Sequence, residues 1–127
     1  MTSPPEIRPA PTASLLLRTL GAVGLYDADQ SALILGPGKP LAVLTYLALT
    51  PGRRISREFL TELLWADVEP DRARNALRQA LFHLRRLLGE SAIPGSEELV
   101  LARPLETDRD RFLAALHRLK QLTATPA

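Results

Sequence analysis

The stretch Pro70 to Gly89, PDRARNALRQALFHLRRLLG, constrains this chain more than any other. At about 100° per residue, Ala73, Ala76, Leu77, Ala80, Leu81, Leu84, Leu87 and Leu88 fall on one continuous arc, the pattern of a helix with a buried face. The opposite arc collects Asp71, Arg72, Arg74, Asn75, Arg78, Gln79, Phe82, His83, Arg85 and Arg86. Five of these are arginines, and no acid follows Asp71 before the helix ends. A face of that kind suits an anionic partner.

The charge is local. The formal balance of the whole 127-residue chain is only +2, yet residues 72 to 86 hold five Arg and neither Asp nor Glu. Fourteen of the sixteen basic residues are Arg, whose planar fork pairs with phosphate or a guanine edge through two hydrogen bonds. The absence of Cys excludes a disulfide framework and a thiolate metal site. The run Leu41 to Leu49 is too short to span a bilayer, and the N-terminus has no secretory pattern. The expected compartment is the cytoplasm, with no membrane contact.

Taken in order, residues 1–13, MTSPPEIRPAPTA, read as a disordered leader. Leu15 to Leu20, Val23 to Tyr26 and Ala32 to Leu35, separated by Gly- and Asp-rich breaks, predict three strands in a meander. Pro40 opens an apolar helix that stops at Pro51-Gly52. The preceding Gly36-Pro37-Gly38-Lys39 is a turn and helix start, because Pro40 breaks the Ser/Thr requirement of a phosphate loop. Arg53 to Ile55 form a very short strand, and Ser56 caps a second helix over Arg57 to Trp65 with Phe59, Leu60, Leu63 and Leu64 as its apolar stripe and Trp65 as a core anchor. After the long helix, Ala92 to Ala102 read as strand, turn, strand. Thr107 caps a last helix with Phe112, Leu113, Leu116, Leu119 and Leu122 on one side. The expected divisions are a domain over 14–106 and a trailing helix with a frayed tail over 107–127.

The fold class is therefore α+β: a winged helix-turn-helix with an N-terminal platform of three to four antiparallel strands, three helices, a C-terminal β-hairpin wing and a short trailing helix. The run GKPLAVLTYLALTPGRRISREFLTELLWADVEPDRARNALRQALFHLRRLLG resembles the DNA-binding domain of the streptomycete antibiotic regulatory protein type of activators, an OmpR-like winged helix. Pro51-Gly52-Arg53, Ser56-Arg57-Glu58, Leu64-Trp65, and Ala73-Arg74-Asn75 through Leu84-Arg85-Arg86-Leu87-Leu88-Gly89 carry the likeness. It covers roughly residues 15 to 113, and Thr107 to Phe112 resemble the start of the activator domain that follows in longer members. The resemblance implies binding to direct repeats near promoters, often as tandem homodimers, and recruitment of RNA polymerase.

Within this frame Arg74, Asn75, Arg78 and Gln79 stand where a recognition helix presents side chains to base edges. Arg53, Arg54, Arg57, Arg72, Arg85 and Arg86 are candidate phosphate contacts, which fix register without reading sequence. Phe82 lies among polar residues and invites a thymine methyl, a neighbouring protomer or the platform of its own fold as its contact. Glu97 and Glu98 fall in the expected wing, where a minor-groove contact favours Arg. His83 and His117 lack a second ligand at metal spacing, so no metal or other cofactor is expected. The reading is sequence-specific binding of double-stranded DNA by a bacterial transcriptional regulator. The alternative is a winged-helix module that binds an acidic protein partner. No nucleophile-base pair or phosphate loop supports an enzyme.

Overall fold

Three consecutive leucines, Leu15, Leu16 and Leu17, open strand β1 (Leu15–Arg18) and are all buried. Leu15 and Leu17 join the main core with Leu25 of β2 (Gly24–Asp27), whereas alternation turns Leu16 to the other face. The structure, a computed structural model, describes residues 14–124, with side chains to residue 121. The leader expected over 1–13 and the end of the tail lie outside these residues. β1 and β2 pair antiparallel with Leu17 opposite Leu25, and β3 (Leu33–Leu35) pairs antiparallel with β2.

The chain then forms α1 (Lys39–Leu49), β4 (Arg54–Ser56), α2 (Arg57–Leu64) and α3 (Pro70–Leu88). Helix α1 buries Leu41, Val43, Leu44 and Leu47, and packs against α2 and α3. The turn into β4 is made by Gly52 and Arg53, both left-handed at φ 78° and 53°. Lys39 of the Gly-Pro-Gly-Lys turn serves the core region: its Nζ donates to the Leu64 carbonyl at 2.5 Å and lies over the Trp65 ring. Trp65 is half-buried against the core. Ser56 caps α2 as expected, its Oγ accepting from the Phe59 amide at 2.9 Å. The stripe expected on α2 divides, however. Leu60 is buried and Leu64 packs on the core, but Phe59 and Leu63 are exposed, because eight residues present only one edge to α1 and α3.

Two departures concern the sheets. The wing is not a hairpin of two strands: β5 (Glu98–Val100) pairs antiparallel with β4, Ile55 opposite Leu99. The segment Ala92–Pro94 meets the returning chain through Val100 N–H to the Pro94 carbonyl and through Ala102 and Arg103 N–H to the Ala92 carbonyl, which is no regular ladder. Pro94 cannot donate to a ladder, so a regular first arm is disfavoured. Gly95 makes the turn at φ 108°, where a Cβ would overlap the Glu98 carbonyl. The second departure is the fourth platform strand. β6 (Glu106–Thr107) joins parallel to β1, giving the order β3-β2-β1-β6, so the platform is not wholly antiparallel.

Helix α4 (Asp108–Ala124) follows at once. The buried Thr107 and Asp110 cap each other's amides reciprocally, at 2.9 and 3.3 Å. Asp108 accepts from the Thr19 amide and hydroxyl and the Leu20 amide at 2.9–3.0 Å, closing the end of β1 on the start of α4. Burial works against the Asp108 charge, but these donors outweigh it and hold the carboxyl below its ordinary value.

The wing is held to α2 and α3 by arginines. The Arg85 guanidinium donates through Nε and Nη2 to the Ile93 carbonyl at 3.0 and 2.7 Å, and Arg57 Nη1 donates to Ser96 at 2.9 Å. Ile93 is itself fully buried, so its carbonyl needs a partner. Arg103 reaches the last turn of α3, donating to the Leu88 carbonyl at 2.8 Å.

Two tests follow from these ties. Arg85→Ala lowers the free energy of unfolding by about 1–3 kcal/mol, and Arg85→Lys recovers only part, since an ammonium lacks the fork; an unchanged urea midpoint in both disproves the strap. Asp108→Ala costs about 1–3 kcal/mol at neutral pH. Because the folded carboxyl titrates below the unfolded one, its stabilisation is complete above the ordinary value of about 4 and is lost as the pH falls through the folded value. The gap between wild type and variant therefore narrows in acid, and a gap that widens refutes the assignment.

Candidate nucleic-acid interface

Helix α3 starts where Glu69 accepts from the Asp71 and Arg72 amides, with Pro70 in the first turn, and stops at Gly89, whose φ is 114°. Glu69 thus caps the helix. Ala73, Leu77, Ala80, Leu81, Leu84 and Leu88 are buried, and Ala76 and Leu87 partly so, as the arc demanded. The residues that alternate with them face outward, except Arg85, which is half-buried against the wing.

The four candidate base-reading residues are exposed together on the N-terminal half of that face. Arg74 pairs with Asp71, and Arg78 Nη1 donates to Asn75 Oδ1 at 3.1 Å. Both contacts lie within one turn of the helix on the surface, where such pairs hold by about 0–1 kcal/mol and yield readily to a stronger acceptor. Gln79 and Arg72 have no partner among the described residues. Further along, Phe82 is 61 % exposed and the Arg86 guanidinium lies 5.7 Å from its ring centre. Packing of Phe82 on its own platform, one of the three contacts expected, does not occur; the side chain points away from the fold.

The six candidate phosphate contacts separate. Arg72 and Arg86 are exposed on the α3 face. Arg57 and Arg85 are half-buried at the root of the wing, bonded to its carbonyls. Burial lowers the Arg57 pKa, and the charges of Arg85 and Arg78 lower it further, so three guanidiniums converge where α2, α3 and the wing meet. Arg54 is paired across the strands with Glu98 at 2.9 Å, both side chains exposed. Arg53 lies elsewhere: its Nη2 donates to the Leu105 carbonyl at 2.9 Å and faces Asp110 at 3.4 Å, so it ties the turn before β4 to β6 and α4. The structure therefore does not bring Arg53 to the α3 surface.

The convergence is chemically specific. Like charges held close raise the energy of the free protein, and an anion seated among them relieves it. A phosphate backbone offers a row of such anions, and the base edges beside it offer acceptors that can replace the Asp71 and Asn75 oxygens now held by Arg74 and Arg78. Among the described residues no group of His, Asp or Glu is arranged to hold a metal ion, and no helix is long and apolar enough to cross a membrane.

No curated protein and no solved structure matches the chain. Residues 32–102 match a protein family described as transcriptional regulatory protein, C terminal. Those residues run from the third strand to the end of the wing and contain α1, α2, α3 and β5, the elements that build the surface just described. With more than half of its length inside that match, the chain belongs to this family, the OmpR/PhoB-type winged-helix DNA-binding domains of transcriptional regulators.

Proposed function

We propose that this chain binds double-stranded DNA sequence-specifically, with α3 in the major groove. Arg74, Asn75, Arg78 and Gln79 touch base edges, Arg72 and Arg86 take flanking phosphates, and Arg57 and Arg85 add charge from the wing root while holding the wing. The carrying observation is the α3 face itself, on which Arg72, Arg74, Arg78 and Arg86 are exposed and only Asp71 answers them. Arg54, neutralised by Glu98, lends less. In this reading the protein is a bacterial activator working in the cytoplasm on the nucleoid, bound to direct repeats as a tandem dimer that helps recruit RNA polymerase. These finer points rest on the resemblance to the streptomycete regulators.

The exposed Phe82 beneath Arg86 supports a second reading, an apolar and cationic patch that receives an acidic protein. Titrating labelled duplexes by fluorescence anisotropy across a salt series separates the two. DNA binding requires an affinity that falls steeply with salt as counterions are released. Failure to bind promoter-like or random duplexes at low salt refutes it.

Arg78→Ala is expected to cost about 1–3 kcal/mol on the preferred site and to relax discrimination there. Arg86→Ala weakens every duplex alike and flattens the salt dependence by about one unit of slope. Equal effects of the two on specific and random DNA remove the division between base and phosphate contacts. A footprint spanning one half-site on DNA carrying a direct repeat counts against the tandem dimer.

A further inference from the structure

Phe82 is the one large apolar side chain that α3 exposes. At about 100° per residue it falls between Arg78 and Arg86 on the arc that runs from Arg74 to Gln79, the arc of the four candidate base-reading side chains. The Arg86 guanidinium, 5.7 Å from the ring centre, is within the reach of a cation held over an aromatic face. Most of the ring is left to solvent.

A ring in that place has few uses. It carries no donor, so it can take neither a phosphate oxygen nor an acceptor on a base edge. To a protein partner it offers little, because an apolar docking patch is contiguous and Phe82 is a single apolar point enclosed by Asn75, Arg78, Gln79 and Arg86, all exposed. The complement of such a pattern is one apolar point set among hydrogen-bond acceptors. The major groove displays one in the C5-methyl group of thymine, beside its own O4 and the acceptors of neighbouring purines.

We infer that Phe82 is a specificity-determining residue that reads thymine, its ring against the C5-methyl group of a thymine in the major groove. The inference rests on the DNA reading of α3 and adds to it a base feature that none of the four polar side chains senses. Phe82 stands one turn past Arg78, about 6 Å along the axis. At about 3.4 Å per base step, the thymine lies about two base pairs from the base that Arg78 reads. Arg86 already occupies one face of the ring and leaves the other for the methyl. Burial of one such group changes affinity about fourfold, enough to bias the choice of site without carrying the binding.

Deoxyuridine, which pairs as thymidine does and lacks only the methyl, provides the test. A preferred duplex is selected from a randomised pool with the 127-residue chain, and each of its thymines is then replaced singly by deoxyuridine in anisotropy titrations. One replacement per bound copy is expected to weaken the wild type about three- to fivefold, about two base pairs from the step at which Arg78→Ala relaxes discrimination. Phe82→Ser is expected to lose a similar factor on the thymine duplex and to ignore deoxyuridine at that step. Its circular dichroism and thermal midpoint stay close to wild type, because the side chain is exposed. Phe82→Leu restores part of the preference. The inference is overturned if every thymine tolerates the replacement, or if wild type and Phe82→Ser lose equally at each. It falls as well if Phe82→Ser weakens selected and random duplexes alike, or leaves both unchanged, the result expected of a residue kept for an acidic protein. Each of these failures leaves the DNA reading standing, whereas no binding to any duplex at low salt removes that reading and the inference with it.

Discussion

The burial of one side of α3 is the constraint on which the rest depends. Ala73, Leu77, Ala80, Leu81, Leu84 and Leu88 supply the helix's share of a core made with α1, α2 and the platform leucines. Each buried leucine contributes about 1.5–3 kcal/mol, so rotating α3 about its axis costs more than any surface contact returns. Once the helix is seated, the outward position of Arg74, Asn75, Arg78 and Phe82 follows from the period of 3.6. The outer face of α3 is thus the remainder of a packing solution. Its precision comes from leucines that touch no ligand.

The arginines show why composition alone assigns roles poorly. Arg72 and Arg86 are exposed on α3, whereas Arg57 and Arg85 spend their donors on Ser96 and Ile93. Arg53 and Arg103 serve the Leu105 and Leu88 carbonyls. A guanidinium has five donors and needs few acceptors to stay fixed, so one residue type serves both as a strap and as an exposed surface charge. Which of the two a given Arg becomes depends on whether a backbone carbonyl ends nearby without a partner. That is a property of loop paths, and periodicity carries no record of them.

The same distinction divides what was legible in the sequence from what was not. Pro70, the alternating Leu and Arg, and Gly89 marked α3 from Pro70 to Leu88, and the Gly and Asp breaks marked the three platform strands. Ser56 and Thr107 announced their helices as caps. Each is a local signal. The partner of β5 was not legible, because its pairing with β4 joins residues more than forty apart in the chain. Nor was β6, two residues long, whose parallel place beside β1 is secured by Asp108 gripping Thr19 and Leu20. Phe59 and Leu63 had the spacing of a core stripe and became surface because α2 is short. The outer face of α3 was legible as a face, but not the sorting of its charges.

Charge is segregated along the chain as well as over the surface. Between Arg57 and Arg72 lie Glu58, Glu62, Asp67, Glu69 and Asp71 with no base among them, and α3 then carries the arginines. Glu69 and Asp71 also favour the positive end of the α3 dipole, so part of the acidic block stabilises the helix that bears the basic one. A polyanion approaching within about 10 Å, the screening length at moderate salt, is drawn to α3 and turned away from α2. Repulsion on one side orients the encounter as effectively as attraction on the other. Salt weakens both together, so a salt-dependent affinity for DNA and a salt-dependent preference for one orientation have the same origin. The acids of α2 therefore bear electrostatically on the approach of an anion to α3, Glu58 and Glu62 lining one groove with Arg57 and Arg74.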